Sequence, residues 1–484
     1  MRRSLLAILL LFGAASPAVL SAQAVGGQAA GGQSAEPPAR TVEGELATKV
    51  RGSFTVAAVG DLIAPQPINR AAPEFARTAD VIRHADVGFA NMESSLVDFR
   101  KHEGGVGGTL APLEMGDSLK SLGITLVSRA NNHALDGGVE GMVSTDLALD
   151  RLGIAHAGSG RDLQEARGAR FLETPKGRVG LVSMFAVEDV GNFGPAYVRT
   201  AATLRNGDIG GAPGVNPLYL TTYHVVSPAD LEAMKAIAAR TYGQRAPAHV
   251  APTETAGARF RYFDEWYEAG DRPGTLRYAM NPADERGNLE AIRSGKVQSD
   301  FLIATIHSHQ SPAFCGACAF GTVPGMKEEL SHEPPDYLVK LAREAIDNGA
   351  DMFVSHGVHA LAGIEIYKGR PIFYGLSNFI FQFGLQFGDG YDAMANYRKR
   401  AELENPASLE SVLASVRYEN GKLAEVRLYP VDLGGRDRPI SQLGIPQAAS
   451  PAVAQRILSS LQQWSQPFGT RIVIENGVGV IRVP

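Results

Sequence analysis

The chain has 484 residues, of which 44% are hydrophobic, so it can bury a large core, and its length permits two or three domains. Its 46 basic and 51 acidic side chains leave a formal net charge of −5, without the basic surplus that attracts nucleic acid. Nucleic acid is therefore not expected as the main partner.

Residues 1–24 have the form of a cleavable secretory signal peptide. Arg2-Arg3 precedes an apolar run that starts at Leu5 and ends at Phe12, and small residues then lead to Ala24. The run is shorter than the roughly 20 residues of a spanning helix, so we expect no stable membrane span after cleavage. The predicted location is secreted or periplasmic. Arg2-Arg3 leaves a twin-arginine export route open beside the general secretory route.

The next segments indicate a linker followed by a layered domain. Residues 25–48 are rich in Gly, Ala, Gln and Pro at their start, which predicts a disordered linker. From residue 49 onward, short apolar runs alternate with helical patterns, which is typical of an α/β domain, predicted here over residues 49–400.

Two predicted helices have an apolar face defined by the helical period. The first ends before Gly153 and places on one face Val139, Met142, Val143 and Leu147. The second covers residues 334–348, ends at Gly349 and places on one face Leu338, Leu341, Ala342 and Ala345. Both faces are predicted to pack against the core.

Two further regions complete the predicted organisation. Residues 191–288 interrupt the α/β alternation with Gly-Pro clusters and an amphipathic helix over 228–240, so we interpret them as an insertion that helps to shape a substrate cleft. Residues 401–484 are predicted to form short strands and a helix, which either complete the domain or are appended to it.

Most of the candidate chemistry lies in five short polar segments, each directly after an apolar run of strand type. The runs are residues 54–59, 87–90, 124–127, 301–306 and 352–354. The candidate metal ligands that follow them are Asp61, Glu93, Asn132, His307, His309, His356 and His359. In open α/β sheets ligands collect at the carboxyl ends of strands, so we expect these side chains to converge.

The segments differ in how strongly each one indicates a metal site rather than an ordinary structural role. Asp61 after Gly60 is, taken alone, more typical of a turn, and Glu93 could close an ordinary strand. Asn131-Asn132-His133-Ala-Leu-Asp136 is more specific, because Asp136 can accept the second ring N–H of His133 and fix its tautomer. Four of the 11 histidines fall in two tetrapeptides that follow strands, which an ordinary structural role does not predict.

The predicted donor set mixes carboxylate, amide and imidazole groups. Imidazole favours transition metals, so Mn, Fe, Zn or Co is expected rather than Mg or Ca. Two such ions, roughly 3.5–4 Å apart, would activate a bridging water and clamp the oxygens of an in-line displacement. The sequence therefore predicts a site for two divalent transition-metal ions.

Cys315 and Cys318 are the only cysteines. In a secreted protein they are expected to form a disulfide. A thioredoxin-like redox pair would require the Cys-Gly-Ala-Cys segment to begin a helix, which its surroundings do not indicate, and thiolate metal ligation would need further partners.

These motifs resemble the CapA-type poly-γ-glutamate capsule synthesis proteins, a branch of the calcineurin-like metallophosphoesterase superfamily. The similarity covers roughly residues 55–381, and its most specific segments surround Asp61, Glu93, His133 and His356. The resemblance implies a four-layer α/β/β/α sandwich with a long insertion. It also implies that Glu93 bridges the metals, that Asn132 is a ligand, and that His133 protonates the leaving group or stabilises developing charge.

Two positions depart from the superfamily pattern. The first motif usually reads Asp-x-His, whereas this chain has Asp61-Leu62-Ile63, so one imidazole ligand is missing. Glu93 also stands where Asp is usual. We hypothesise that His309 supplies the missing imidazole.

The function expected from this resemblance is metal-dependent hydrolysis of an anionic envelope polymer or small-molecule precursor, at a phosphoester or a γ-glutamyl amide. The alternative is a non-catalytic envelope component that binds or helps to export an acidic polymer. The His133–Asp136 pair favours catalysis, because binding alone does not need an oriented acid.

Overall fold

Two large mixed sheets, surrounded by helices, carry the fold. The computed structural model describes residues 41–483 except 69–72, 104–107, 189–199, 206–208, 242–252, 256–258, 263–264, 313–331, 383–405, 435–437, 439–441 and 443. The predicted signal peptide, most of the predicted linker, and both cysteines lie outside the described residues. The residues from Val42 onward form one compact unit.

The described strands follow one another along the chain as β1 (Ser53–Ile63), β2 (Val87–Met92), β3 (Ser95–Val97), β4 (Leu110–Pro112), β5 (Leu126–Ser128), β6 (Ala155–Ala157), β7 (Ser159–Gly160), β8 (Arg170–Thr174), β9 (Gly177–Glu188), β10 (Gly214–Val215), β11 (Pro217–Val226), β12 (Thr253–Thr255), β13 (Arg259–Tyr262), β14 (Glu265–Ala269), β15 (Leu276–Met280), β16 (Phe301–His307), β17 (Met352–His356), β18 (Ile364–Tyr367), β19 (Arg370–Phe373), β20 (Asn378–Phe381), β21 (Glu410–Glu419), β22 (Lys422–Asp432), β23 (Gln447–Ala448), β24 (Val473–Glu475) and β25 (Val478–Arg482).

The described helices are α1 (Val42–Glu45), α2 (Pro73–Arg83), α3 (Glu114–Leu122), α4 (Gly138–Leu152), α5 (Leu163–Arg167), α6 (Pro228–Thr241), α7 (Pro282–Val297), α8 (Asp336–Asp347), α9 (Pro406–Leu409) and α10 (Pro451–Ser465). Among the residues described, no helix combines the length and the apolar composition needed to cross a bilayer.

The first sheet has the strand order β24-β25-β22-β21-β1-β2-β5-β6, with β20 beside β1 and β23 beside β22. The strands β1, β2, β5 and β6 run parallel, so their carboxyl ends meet at one edge. The strand β21 from the C-terminal region pairs antiparallel with the first half of β1. The last three residues of β1 pair instead with β20.

The second sheet has the order β12-β13-β14-β11-β9-β16-β17-β19-β18, with β15 beside β11 and β8 beside β9. Its central strands β9, β16 and β17 are parallel, and His307 pairs in register with His356. The strands β11 to β15 belong to the predicted insertion, which therefore widens this sheet on one side.

Three groups of buried apolar side chains hold the sheets and helices together. One joins the first sheet to α2, α3 and α4 through residues such as Phe75 and Leu119. A second contains side chains of both sheets, and the rings of Phe54 and Phe301 lie 5.2 Å apart across it. The third joins the second sheet to α7 and α8. The protein is thus an α/β protein in which apolar burial lies on both faces of each sheet.

The two predicted helix faces have different outcomes. In α8 the predicted face is confirmed, because Leu338, Leu341, Ala342 and Ala345 are all buried. In α4 the helix is present, but the predicted face is wrong: Val139, Val143 and Leu147 are 43%, 38% and 51% exposed.

Of the predicted face only Met142 is buried, and the buried side of α4 consists of Gly141, Met142, Thr145, Ala148 and Leu149. Thr145 is fully buried and accepts a hydrogen bond from the backbone N–H of Leu96 at 2.8 Å, while its hydroxyl donates to the carbonyl of Gly141 at 2.7 Å. The exposed apolar side chains of α4 form a second stripe at helical spacing, so hydrophobic periodicity alone did not identify the face that is buried.

A buried ion pair between Lys296 and Asp351 connects elements of both sheets. Lys296 Nζ lies 2.7 Å from Asp351 Oδ2, and neither side chain is exposed. The same carboxylate accepts the backbone N–H of Leu302 at 2.8 Å and bonds to the hydroxyl of Thr48. The hydroxyl of Tyr418 donates to the Asp351 carbonyl at 2.8 Å. One residue therefore joins α7, β16, β17 and the strand β21 of the other sheet.

We expect Asp351→Ala to lower the free energy of unfolding by about 3–5 kcal/mol, because it leaves the Lys296 ammonium buried without a counter-charge. Urea unfolding measures the change. The matched control is Asp347→Ala, which removes the exposed pair with Lys368 and should leave the unfolding midpoint nearly unchanged. Equal shifts in both variants would contradict the assigned role of Asp351.

Candidate metal centre

The polar segments that follow the strands meet where the carboxyl ends of the two sheets approach each other. Asp61 lies near the end of β1, and Glu93 is the first residue after β2. His133 follows β5, and His307 is the last residue of β16. The two carboxylates and His307 are fully buried.

Asp61 is held by a close approach of two backbones. A Cβ atom on Gly60 would lie 1.9 Å from the carbonyl oxygen of Ser377, so only glycine fits before Asp61. The Asp61 carboxylate accepts hydrogen bonds from Asn91 Nδ2 at 2.8 Å and from the backbone N–H of Gly357 at 3.1 Å. Burial opposes ionisation of Asp61, but the hydrogen bond from His359 and the nearby imidazoles outweigh it and hold its pKa well below the usual range.

Glu93 is the least satisfied group of the site. Among the described residues, neither of its carboxylate oxygens accepts a hydrogen bond. Its Oε1 lies 3.5 Å from His307 Nε2 and 3.9 Å from the Nε2 atoms of His133 and His359. Burial, with added repulsion from Asp61 and Asp136, raises the pKa of Glu93 well above its ordinary value. A cation beside this carboxylate would remove the cost of burying it.

His307 and His309 present their ring nitrogens to each other. Their Nε2 atoms are 3.0 Å apart, and both rings are buried. Burial lowers the pKa of both imidazoles, that of His309 to about 3. Neutral imidazole is the form that ligates metals, so this pair is suited to a shared ion.

The ligand atoms form two overlapping groups, within each of which all the atoms lie less than 4.8 Å apart. One group contains Glu93, His307 and His309, and the other contains Asp61, Glu93 and His359. Glu93 belongs to both. The donor set and the unsatisfied Glu93 carboxylate therefore fit a divalent cation.

His359 reaches the second group through an unusual backbone conformation. Its φ is 53°, in the left-handed region that a non-glycine residue seldom adopts. Its Nδ1 lies 2.8 Å from Asn378 Oδ1 and 3.4 Å from Asp61 Oδ2. These contacts hold the strained turn and keep the ring at the metal centre.

His356 is a predicted ligand that the structure does not bring into either group. Its Nε2 lies 3.1 Å from the carbonyl oxygen of Val59, and its Nδ1 lies 3.2 Å from the hydroxyl of Thr305. Both ring nitrogens thus contact groups of neighbouring strands. In this structure His356 links β17 to β1 and β16, whereas His359, three residues later, faces the ligands.

His133 and Asp136 form a pair at the more open side of the centre. His133 Nδ1 lies 2.6 Å from Asp136 Oδ2, which also accepts the backbone N–H of Thr109 at 2.6 Å. The side chain of His133 is 19% exposed, whereas the metal ligands are buried. Asn132, a predicted ligand, is partly buried in the same segment, and its side-chain oxygen is buried.

Two asparagines outside the predicted set of ligands, Asn91 and Asn131, hold the ligands in place. Asn91 Nδ2 donates to Asp61 and lies 3.0 Å from His307 Nδ1. Asn131 donates to Asn91 Oδ1 at 3.2 Å and accepts the backbone N–H of His133 at 3.1 Å. Their positions in the sequence could have indicated this role, since Asn91 and Asn131 stand one or two residues before a candidate site residue.

Comparison with known proteins assigns the chain to a family. Residues 55–315 and 322–383 match the family described as "Bacterial capsule synthesis protein PGA_cap", whose fold is metallophosphoesterase-like, and the chain belongs to this family. The CapA-type resemblance expected from the motifs is confirmed.

Several relatives are similar to most or part of the chain. The protein named "Uncharacterized protein y4sH" from Sinorhizobium fredii is 38% identical over 473 residues, which cover 91% of this chain and 96% of the relative. A "PGA biosynthesis protein CapA" from Bacillus subtilis is 25% identical over 55% of this chain and 45% of its own length. A "Probable polyglutamine synthesis accessory protein" from Mycobacterium tuberculosis is 22% identical over 71% of this chain and 63% of its own length.

We expect the purified protein to bind a divalent transition metal, and Glu93→Ala and His309→Ala each to lower the bound metal, because both residues belong to the buried donor groups. Elemental analysis by mass spectrometry measures metal per chain. His84→Ala is the matched control, since this exposed histidine lies outside the centre after α2. A His309→Ala variant with full metal content would exclude His309 as a ligand.

Proposed function

We propose that this protein is a metal-dependent hydrolase that acts on an anionic polymer of the cell envelope, or on its precursor, at a phosphoester or a γ-glutamyl amide. The observation that carries the proposal is the buried Glu93 carboxylate, which lies within 3.9 Å of three imidazole nitrogens and accepts no hydrogen bond from the described residues. Such a group is costly in a stable fold unless it serves a ligand.

Membership of the capsule synthesis family supports the choice of polymer. The names of the Bacillus and Mycobacterium relatives refer to PGA and polyglutamine synthesis, and we extend that substrate class to this chain as part of the proposal. The four-layer α/β/β/α arrangement is also proposed. The apolar clusters between the sheets and on the outer face of each sheet support it.

The residues divide into two metal sets that share Glu93. Asp61 and His359 would hold one ion, and His307 with His309 would hold the other. The mixed nitrogen and oxygen donors favour Mn, Fe, Zn or Co. Bound ions of this kind supply positive charge to the reacting oxygens and lower the pKa of water. His309 in this arrangement takes the place of the imidazole that is missing after Asp61.

His133 is suited to deliver a proton to the leaving group. Asp136 accepts the Nδ1–H of the ring, so in the imidazolium form the second proton, on Nε2, is the one available for transfer, and Nε2 lies 3.9 Å from Glu93 Oε1. Asp136 is in turn held by the backbone N–H of Thr109. The side chain of His133 is 19% exposed whereas Glu93 is fully buried, so we place the incoming substrate on the His133 side of the centre.

We expect His133→Ala to lower kcat by about 10²–10⁴-fold while leaving the metal content unchanged, because the variant removes the proton donor but none of the buried ligands. Hydrolysis of an aryl phosphodiester and of poly-γ-glutamate measures the effect and identifies the bond that is cut. His84→Ala is again the control and should retain full activity. Metal-loaded protein that turns over neither substrate would instead favour a non-catalytic component that binds or exports the polymer.

Secretion is a further part of the proposal, resting on the form of residues 1–24. We expect expression in a secreting host to yield a chain that begins at Val25, which intact-mass measurement detects directly. Replacing the residue at the cleavage site, Ala24→Phe, should leave the precursor uncleaved. A full-length mass for the exported wild-type protein would contradict signal cleavage.

A further inference from the structure

The second sheet extends well past the metal centre along one strand. Strand β11 begins at Pro217, which pairs with Phe185 of β9, and Phe185 pairs with His307 of β16. Six residues further on, Tyr223 pairs with both β14 and β15. At a rise of 3.2–3.4 Å per residue, Tyr223 lies about 20 Å along the strand beyond the level of His307.

The odd-numbered residues of β11 lie on the same face of the sheet as the metal centre. Leu218 and Leu220 pack into the core that the helices α7 and α8 cover. Tyr219 packs instead with Phe185, whose ring lies 5.8 Å from that of His307. Because side chains alternate along a strand, Tyr223 lies on the His307 face.

Cross-strand pairing places charged and aromatic side chains beside Tyr223. Tyr223 is opposite Trp266 in β14 and Arg277 in β15. In β13, Arg261 is opposite Trp266 and Arg259 is opposite Glu268. Directly opposed residues share a face of the sheet. We call this surface the arginine–aromatic face, and it consists of Tyr223, Arg259, Arg261, Trp266, Glu268 and Arg277.

The arrangement keeps guanidinium groups at the surface. The guanidinium carbons of Arg259 and Arg277 lie 4.5 Å and 5.3 Å from the centre of the Tyr223 ring. Both arginines pair with Glu268, which is 13% exposed, whereas each arginine is 35% exposed. Glu268 therefore orients two guanidinium groups from beneath and leaves part of each accessible.

The charge of this face differs from that of the whole chain. Its three arginines and one glutamate give +3 − 1 = +2, although the chain carries −5 in total. The opposite face of the same strands is apolar, since Phe260, Tyr262 and Tyr267 pack with Leu231 of α6. The excess of positive charge is thus confined to the side that continues from the metal centre.

We propose that the arginine–aromatic face binds the carboxylates of an acidic polymer chain and leads that chain to the metal centre. The inference rests on the proposed function, because it identifies where the same substrate is held away from the bond that is cut. Guanidinium forks match carboxylates in geometry and charge. The partly exposed ring of Trp266 offers flat surface for the polymer backbone between its charges, and the buried ring of Tyr223 supports the guanidinium groups above it.

Binding of fluorescent poly-γ-glutamate, measured by anisotropy, tests the proposal. We expect Arg261→Gln to weaken binding several-fold and the Arg259→Gln/Arg277→Gln double variant to weaken it at least 10-fold. The single variant does not disturb the Glu268 pairs, so it remains informative if the double variant unfolds. Arg482→Gln is the matched control, because this arginine also pairs with a glutamate, Glu475, but lies in β25. Wild-type affinity in folded arginine variants would overturn the proposal.

Two further measurements test which type of anion the face binds and whether binding is independent of hydrolysis. Polyphosphate that binds more tightly than poly-γ-glutamate, and through the same arginines, would overturn the assignment to carboxylates. Hydrolysis of a small aryl phosphodiester should persist in the arginine variants, because the metal centre is intact. If no variant or wild-type protein hydrolyses any substrate but polymer binding still depends on the arginines, the proposed hydrolase function fails and the binding face stands.

Discussion

The buried carboxylate of Glu93 is the constraint on which the rest of the site depends. An ionisable group without a hydrogen bond in the interior lowers stability, so it is retained where another interaction compensates for it. Here the surrounding side chains do not neutralise it. They present imidazole nitrogens at 3.5–3.9 Å, too far for hydrogen bonds and suited to a cation placed between them. The donor groups therefore have the arrangement expected of a cation site.

Holding that arrangement requires rigid support from both sheets. Asn91 and Asn131 connect the ends of β1, β2 and β16 through side-chain amides, which position ligands without adding charge. Gly60 allows the Ser377 carbonyl to approach where a Cβ would collide. The left-handed backbone at His359 is strained, and its ring contacts with Asn378 and Asp61 keep it in place.

The two sheets contribute differently to the protein. The first supplies the carboxylates and the His133–Asp136 pair, close to short parallel strands. The second supplies the remaining imidazoles and then extends through β11 into the region of β13 to β15. This division brings a compact candidate metal centre and a longer, positively charged surface onto the same side of one sheet. An enzyme that acts on a polymer needs both features, because much of the substrate lies outside the site of bond cleavage.

Local pattern was sufficient to predict the five strands that precede the candidate ligands and the buried face of α8, since apolar runs followed by polar strand ends are properties of neighbouring residues. It did not predict the strands β11 to β15 of the insertion. It was not sufficient for α4, whose buried face differs from the apolar stripe that the helical period marked, or for His356 and His359, which look equivalent in sequence. Only the tertiary structure distinguishes those two histidines, because the backbone turn at Gly357 and the neighbouring strands decide which ring faces Glu93. The arginine–aromatic face likewise arises from the pairing of four strands, β11, β13, β14 and β15, and strand register is set by long-range packing rather than by local composition.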